Sequence, residues 1–182
     1  MTAMDAMDLT GISAGLLVGR LMVGLGIAAH GSQKLFGWFG GYGLAGTGGF
    51  FEQLGFRPGR IFAAAAGGAE FAGGLLTALG LLGPVGPALM LSVMIVAKLT
   101  VHFRNGFFTE TNGIERPFLY AAGALVFGLA GPGLFSLDAV LGLEWLWAPR
   151  IGVAALTIGV LGAIGNVLAR RPVASAGTAA VS

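Results

Sequence analysis

Residues 60–82 read RIFAAAAGGAEFAGGLLTALGLL, an apolar run with one carboxylate, Glu70, near its centre. About 20 apolar residues in a helix cross ~30 Å of hydrocarbon, so the run is long enough to span a bilayer. A charge at that depth costs at least ~2.5–3.5 kcal/mol on insertion scales, so it faces protein or water and commonly marks a working site. The stretch therefore predicts a membrane helix with a polar neighbour waiting for Glu70.

Four further apolar segments flank it: Ile12–Phe36, Val85–Phe103, Pro117–Phe135 and Ile151–Ala169. All five are expected to be helices, because a lone span must satisfy its own backbone hydrogen bonds in lipid. The barrel-type alternation of apolar and polar residues is absent. The fourth segment is the weakest, since Gly131-Pro132-Gly133 breaks it early. Gly83-Pro84-Val85-Gly86-Pro87 is too short a link for anything but a helical hairpin. The longer link from Gly37 to Gly59 carries Trp38, Phe39, Tyr42, Phe50, Phe51 and Phe56. It reads either as an interfacial anchor or as a cap over a pocket. Leu137 to Trp147 reads as a short amphipathic piece at the interface, anchored by Trp145 and Trp147.

With 55% hydrophobic and 10% charged residues, the 182-residue chain is one membrane domain rather than a soluble one. Its net charge of +2 and lack of a dense basic patch give no case for nucleic acid. Without cysteine it forms no disulfide, binds no Fe–S cluster through its own thiolates and carries no covalent haem attachment. Asp5 and Asp8 precede the first apolar stretch and no Lys or Arg does, so that stretch reads as a retained span rather than a secretory signal. The tail after Arg171 is small and polar and is expected to be disordered. Gly15-xxx-Gly19, Ala63-xxx-Gly67, Ala69-xxx-Gly73 and Ala155-xxx-Gly159 would let helices approach closely, within the chain or between copies in a homo-oligomer.

Five spans place Lys34, Arg57, Arg60, Arg104, Arg116, Arg170 and Arg171 on one side and Arg150 on the other. By the positive-inside rule the N-terminus is outside and the C-terminus cytoplasmic.

The polar residues form a pattern. His30 and Lys34 are i, i+4 on one helix face, and Lys98 and His102 repeat that spacing. Arg20 lies close to four turns before Lys34, on the same stripe. Arg104, Glu110, Asn112, Glu115 and Arg116 gather at the end that carries both histidines. Glu70 lies about ten residues, or ~15 Å, into its helix, with Arg20 or Lys98 as its natural cationic partner. A polar cavity is thus expected in one half of the bundle, floored by Glu70 and roofed by the first and third links. Several readings remain open for it. Glu70 with Arg20 or Lys98 is a structural ion pair on one, and Lys34 and Arg104 snorkel to headgroups on another. A metal or haem on His30, His102 and Glu70 is set aside, because no helix carries a spaced histidine pair. The functional reading is a pocket for a polar head with an apolar tail, such as a quinone, with His or Lys donating to an oxygen and Glu70 relaying a proton.

A series of short motifs completes the sequence reading. Arg20 is followed by His30-Gly31-Ser32-Gln33-Lys34-Leu35, then by Gly40-Gly41-Tyr42-Gly43 and by the run from Gly46 to Gly55. Glu70-Phe71-Ala72-Gly73-Gly74, the run His102 to Phe108, Asn112-Gly113-Ile114-Glu115 and the run Gly131 to Asp138 come next in order. In this order, from about Leu16 to Asp138, the chain resembles the DoxX family of small membrane proteins, related to the DoxD subunit associated with a terminal quinol oxidase. The resemblance implies a four-helix membrane bundle, a link to quinone or thiol redox, and membrane complexes with soluble oxidoreductases. It points to His30, Lys34, Glu70, His102, Asn112 and Glu115.

The fold expected is therefore all-α: a polytopic membrane four-helix bundle with an additional C-terminal transmembrane helix. Residues 1–10 form a tail, 11–138 the DoxX-like domain, 139–169 an interfacial segment and extra helix, and 170–182 a disordered tail. The extra helix lies past the family's usual end and is expected to be peripheral. The expected role is a bacterial plasma-membrane component of a redox system, working in the bilayer with a protein partner that supplies redox centres. Glu70, His102 and His30 are the candidate catalytic residues; Arg20, Lys34, Lys98, Asn112 and Glu115 are the candidate ligand contacts, with no metal. A non-catalytic anchor or assembly subunit, and a small transporter, are the alternatives.

Overall fold

The computed structural model describes residues 3–171, and among them there is no strand. Seven α-helices follow in order: α1 Ala3–Phe36, α2 Gly43–Gln53, α3 Gly59–Leu79, α4 Val85–Ala97, α5 Glu115–Ala130, α6 Leu137–Leu141 and α7 Pro149–Leu168. α4 continues as a π-helical turn, Lys98–His102, and a 3-10 turn, Phe103–Asn105. Four stretches are long and apolar enough to cross a membrane: Met7–Phe36, Gly59–Leu79, Val85–Asn105 and Pro149–Leu168. The protein is an all-α, polytopic membrane protein.

Three expectations about the helices change. The fourth apolar segment is helical only to Ala130, where Gly131 takes φ 84°. Its 16 residues rise ~24 Å, short of the hydrocarbon thickness, so α5 joins the bundle as a shorter member. The expected tail at residues 1–10 is helical from Ala3 onward, as the start of α1. Arg170 and Arg171, assigned to the disordered tail, are anchored; the rest of that tail lies outside the described residues, as do Met1 and Thr2.

α1 and α3 pack antiparallel along a seam of glycines. A Cβ on Gly24 would lie 2.6 Å from the Gly74 carbonyl oxygen, and one on Gly31 2.6 Å from that of Gly67. Only glycine permits backbones this close. The seven-residue spacing on both helices keeps the contact in register over two turns. Of the small-residue pairs singled out in the sequence, Gly67 and Gly159 serve such approaches, whereas Gly15 meets nothing within 4 Å.

The register leaves the first turns of α3 beyond the end of α1, and there α2 takes over. The Gly59 amide donates to Glu52 Oε1 at 3.2 Å, supplying an acceptor where the helix has no internal one. The Gly37–Gly59 link follows the cap reading, since its residues line two cavities between the helices. It contains a helix docked on α3.

The core is built by Ile27 of α1, Met90, Leu91 and Met94 of α4, Ala124 of α5 and Leu156 of α7. α7 is thus not peripheral. Gly152 would meet the Gly128 carbonyl at 2.5 Å and Gly159 that of Ala88 at 2.6 Å if either carried a Cβ. At its far end Arg170 Nε donates to the Leu54 carbonyl (2.7 Å), the Arg171 amide donates to that of Gly55 (2.8 Å), and the Arg170 guanidinium lies 5.6 Å from the Phe56 ring centre. Loss of one buried leucine alone costs ~2–5 kcal/mol. Truncation after Gly142 is therefore expected to abolish the monodisperse detergent-solubilised protein, read by size exclusion. A truncated form that elutes as a folded species would return α7 to the periphery.

Candidate functional site

The close α1–α3 seam sets up the central pair. Lys34 crosses over Gly67, whose added Cβ would lie 3.1 Å from Lys34 Cβ, and its ammonium reaches both carboxylate oxygens of Glu70, one turn further along α3. The Glu70 side chain is 2% exposed and Lys34 29%, so the anion is sealed and the cation keeps partial access to solvent. This corrects the expected partners, Arg20 or Lys98. Arg20 sits ~21 Å along α1 from Lys34, at the other end of the bundle. Lys98 opens the π-helical turn, half-buried, and does not line the cavities around Glu70.

Three cavities meet at Lys34. One, of about 360 Å³, runs among Phe50, Phe51, Phe62, Ala69, Val93 and Val96 and ends on Lys34, Glu70 and His102. The second, about 140 Å³, brings His30, Lys34, Glu70, His102, Arg116 and Tyr120 together beside Ile27 and Met94. The third, about 640 Å³, lies under α2 between His30, Gln33, Tyr42 and Thr47. Lys34 thus stands where all three cavities meet, and Glu70 lines the first two.

Local structure aims the remaining groups. A π turn widens the helix and is common at functional sites. Here Thr100 Oγ1 donates back to the Val96 carbonyl at 2.8 Å, and Thr100, Val101 and His102 all face the cleft. His102 Nδ1 lies 2.8 Å from the Asn112 carbonyl oxygen, which can only accept, so Nδ1 carries the hydrogen. In the neutral ring Nε2 is then left as an acceptor. His30 Nδ1 lies 3.2 Å from Gln33 Oε1, and its ring meets Tyr120 edge to face at 5.7 Å.

The expected site residues thus separate. His30, Lys34, Glu70 and His102 converge. Asn112 takes part through its carbonyl, in a left-handed turn at φ 61°. Glu115 holds the preceding loop: the Thr109 amide donates to its carboxylate at 2.8 Å, which keeps that group below the usual carboxylate range. Phe50, Phe51 and Phe56 of the link were visible in the sequence as a candidate cap; Tyr120 and the α3 wall were not singled out. That wall is nonetheless written there as Phe62, Ala65, Ala66 and Ala69, at i, i+3, i+4 and i+7 on one face of α3.

Arg20 belongs to a second polar cluster that sequence reading missed. Its guanidinium donates to the carbonyls of Ala78 (3.4 Å) and Phe135 (2.6 Å). Asp138, fully buried and close enough to act on the charge of Arg20, accepts from the amides of Leu82 (3.0 Å) and Gly83 (2.7 Å) and from Trp147 Nε1 (2.8 Å). Gly80 lies directly against the guanidinium. This cluster bolts α1, the α3–α4 hairpin and the segment after α5 together. It lines none of the three cavities.

The DoxX family model matches residues 15–103, from α1 through the π turn. No curated protein and no solved structure gives a significant match.

Proposed function

This chain belongs to the DoxX family, and from that premise we propose that the Lys34–Glu70 centre binds a quinone-like amphiphile, making the protein the ligand-binding membrane component of a redox system. The observation that carries this reading is the junction at Lys34, where three cavities meet on the cation of a buried ion pair. Ligand sites are mostly apolar cavities of ~300–1,000 Å³ with a few convergent polar groups, and the 360 Å³ cleft has that form. The Lys34 ammonium is a donor for a carbonyl oxygen, and His102 Nε2 is an acceptor for the hydroxyl that such an oxygen becomes on reduction. Phe50, Phe51 and Phe62 give walls for a ring and tail. His30 and Tyr120 connect the centre to the α4–α5 loop and supply groups able to carry a proton, while Arg116 adds a fixed positive charge. The chain offers no thiolate for a cluster, so electrons are assigned to a partner protein or a diffusible reductant.

Quinone content of the purified protein tests this. Wild type is expected to retain quinone extracted with the membrane, and His102→Ala about a tenth to a third as much, the loss of one hydrogen bond in a desolvated site. If wild type retains none, the membrane-anchor reading replaces this one.

The same reading places the site on the cytoplasmic side, in the bacterial plasma membrane. Arg170 and Arg171 dock beside Leu54 and Gly55, which gathers the two ends of the sequence's basic set at one end of the molecule. A reporter active only in the cytoplasm, fused after Ser182, is expected to be active. An inactive fusion on an inserted protein would reverse the orientation.

A further inference from the structure

The helices around the 360 Å³ cleft do not close over it. α3 and α7 both pack on α4, and they meet each other only glancingly. Ser92, Val93 and Val96 of α4 form the floor, Ala65 and Ala69 of α3 one wall, and Asn166 of α7 stands on the opposite side. Ala65 and Asn166 are exposed even though they line the cleft. The end of the gap is shut by the latch of Arg170 and Arg171 on Leu54, Gly55 and Phe56. The side is not shut. Both flanking helices are spans, and their neighbouring faces carry exposed Ile61, Leu161 and Ile164, the side chains of a hydrocarbon-facing surface.

We infer that the gap between α3 and α7 is a lateral portal, through which an amphiphile with one hydrogen-bonding head and an apolar tail reaches Lys34–Glu70 directly from the bilayer. This rests on the ligand-site reading above and adds the source of the ligand and its route. A tail left in such a portal stays in contact with lipid, so only the head changes environment on binding. The small side chains of Ala65, Ala66 and Ala69 keep the wall thin where larger ones would fill the gap. Asn166 and Ser92 offer polar atoms at the mouth and floor along which a head can pass.

The chain has no cysteine, so single thiols can be placed without background. Asn166→Cys and Ala65→Cys, each carrying a bulky disulfide-linked reagent, are reconstituted in phosphatidylcholine vesicles containing a long-chain benzoquinone. Met22→Cys, on the exposed face of α1 away from the cleft, is labelled in parallel. Loading of the quinone is expected to slow by about tenfold or more with the label at 166 or 65, to recover when reductant removes it, and to be unchanged with the label at 22. Recovery on reduction shows that the fold survived labelling. If the labels at 166 and 65 leave loading unchanged while the unlabelled protein loads, the portal is wrong and the ligand site stands. If the unlabelled wild type does not load at all, the site and the portal fall together.

Discussion

Asp138→Ala is expected to lower the thermal midpoint of the detergent-solubilised protein by about 10 °C, the largest effect of any single substitution outside the ligand site. The carboxylate is fully buried and holds two backbone amides and the Trp147 indole. Its removal strands those donors and leaves the equally buried Arg20 guanidinium without its counter-charge. Breaking one side of a buried charge arrangement costs ~3–5 kcal/mol, most of it the penalty on what is left behind. Asp138→Asn keeps the size and one acceptor oxygen, so its effect should be smaller. A midpoint within about 2 °C of wild type for Asp138→Ala would show that the cluster does not hold the hairpin and the α5–α7 segment together. Quinone retention should survive in Asp138→Asn, because the cluster lies at the far end of the bundle from Lys34.

The second large effect is an asymmetry within the central pair. Lys34→Met leaves a carboxylate that is 2% exposed with no cation, and is expected to cost ~3–5 kcal/mol. Glu70→Leu leaves an ammonium that is 29% exposed and opens onto the neighbouring cavities, where water can solvate it. That loss should be smaller, ~1–3 kcal/mol. Thermal or denaturant unfolding of the two variants under one detergent condition measures the difference. Equal costs would mean that the two charges are desolvated alike.

Glu70 was legible in the sequence because a carboxylate inside an apolar run has few places to go. Its partner was not, and the reason is α2. Counted from the ends of the apolar segments, Lys34 lies at the membrane edge and Glu70 well below it, which favours the deeper Arg20. The α2 helix is rich in glycine, a poor helix former, and its signal in sequence is weak. Packing against α3 overrides that propensity and lets α3 extend past the end of α1, so Lys34 and Glu70 come level. The place of α7 was hidden in a similar way. Its glycines at 152 and 159 have meaning only against the carbonyls of Gly128 and Ala88, which are distant in sequence. The motif from Gly131 to Asp138 was visible as a family-like string, but the buried acceptor at its end needs the Leu82 and Gly83 amides beside it to be read as a bolt.

Replacing both members of the central pair, Lys34→Met with Glu70→Leu, separates support from function. A buried ion pair exchanged for apolar side chains of similar volume is commonly neutral or stabilising. If the pair is the ligand centre, the double variant folds with a thermal midpoint at or above that of wild type and retains less than about a tenth of its quinone, the loss of a charged donor and its anchor. A double variant that is equally stable and carries as much quinone as wild type would contradict this, and would leave Lys34 and Glu70 as a structural fastening between α1 and α3.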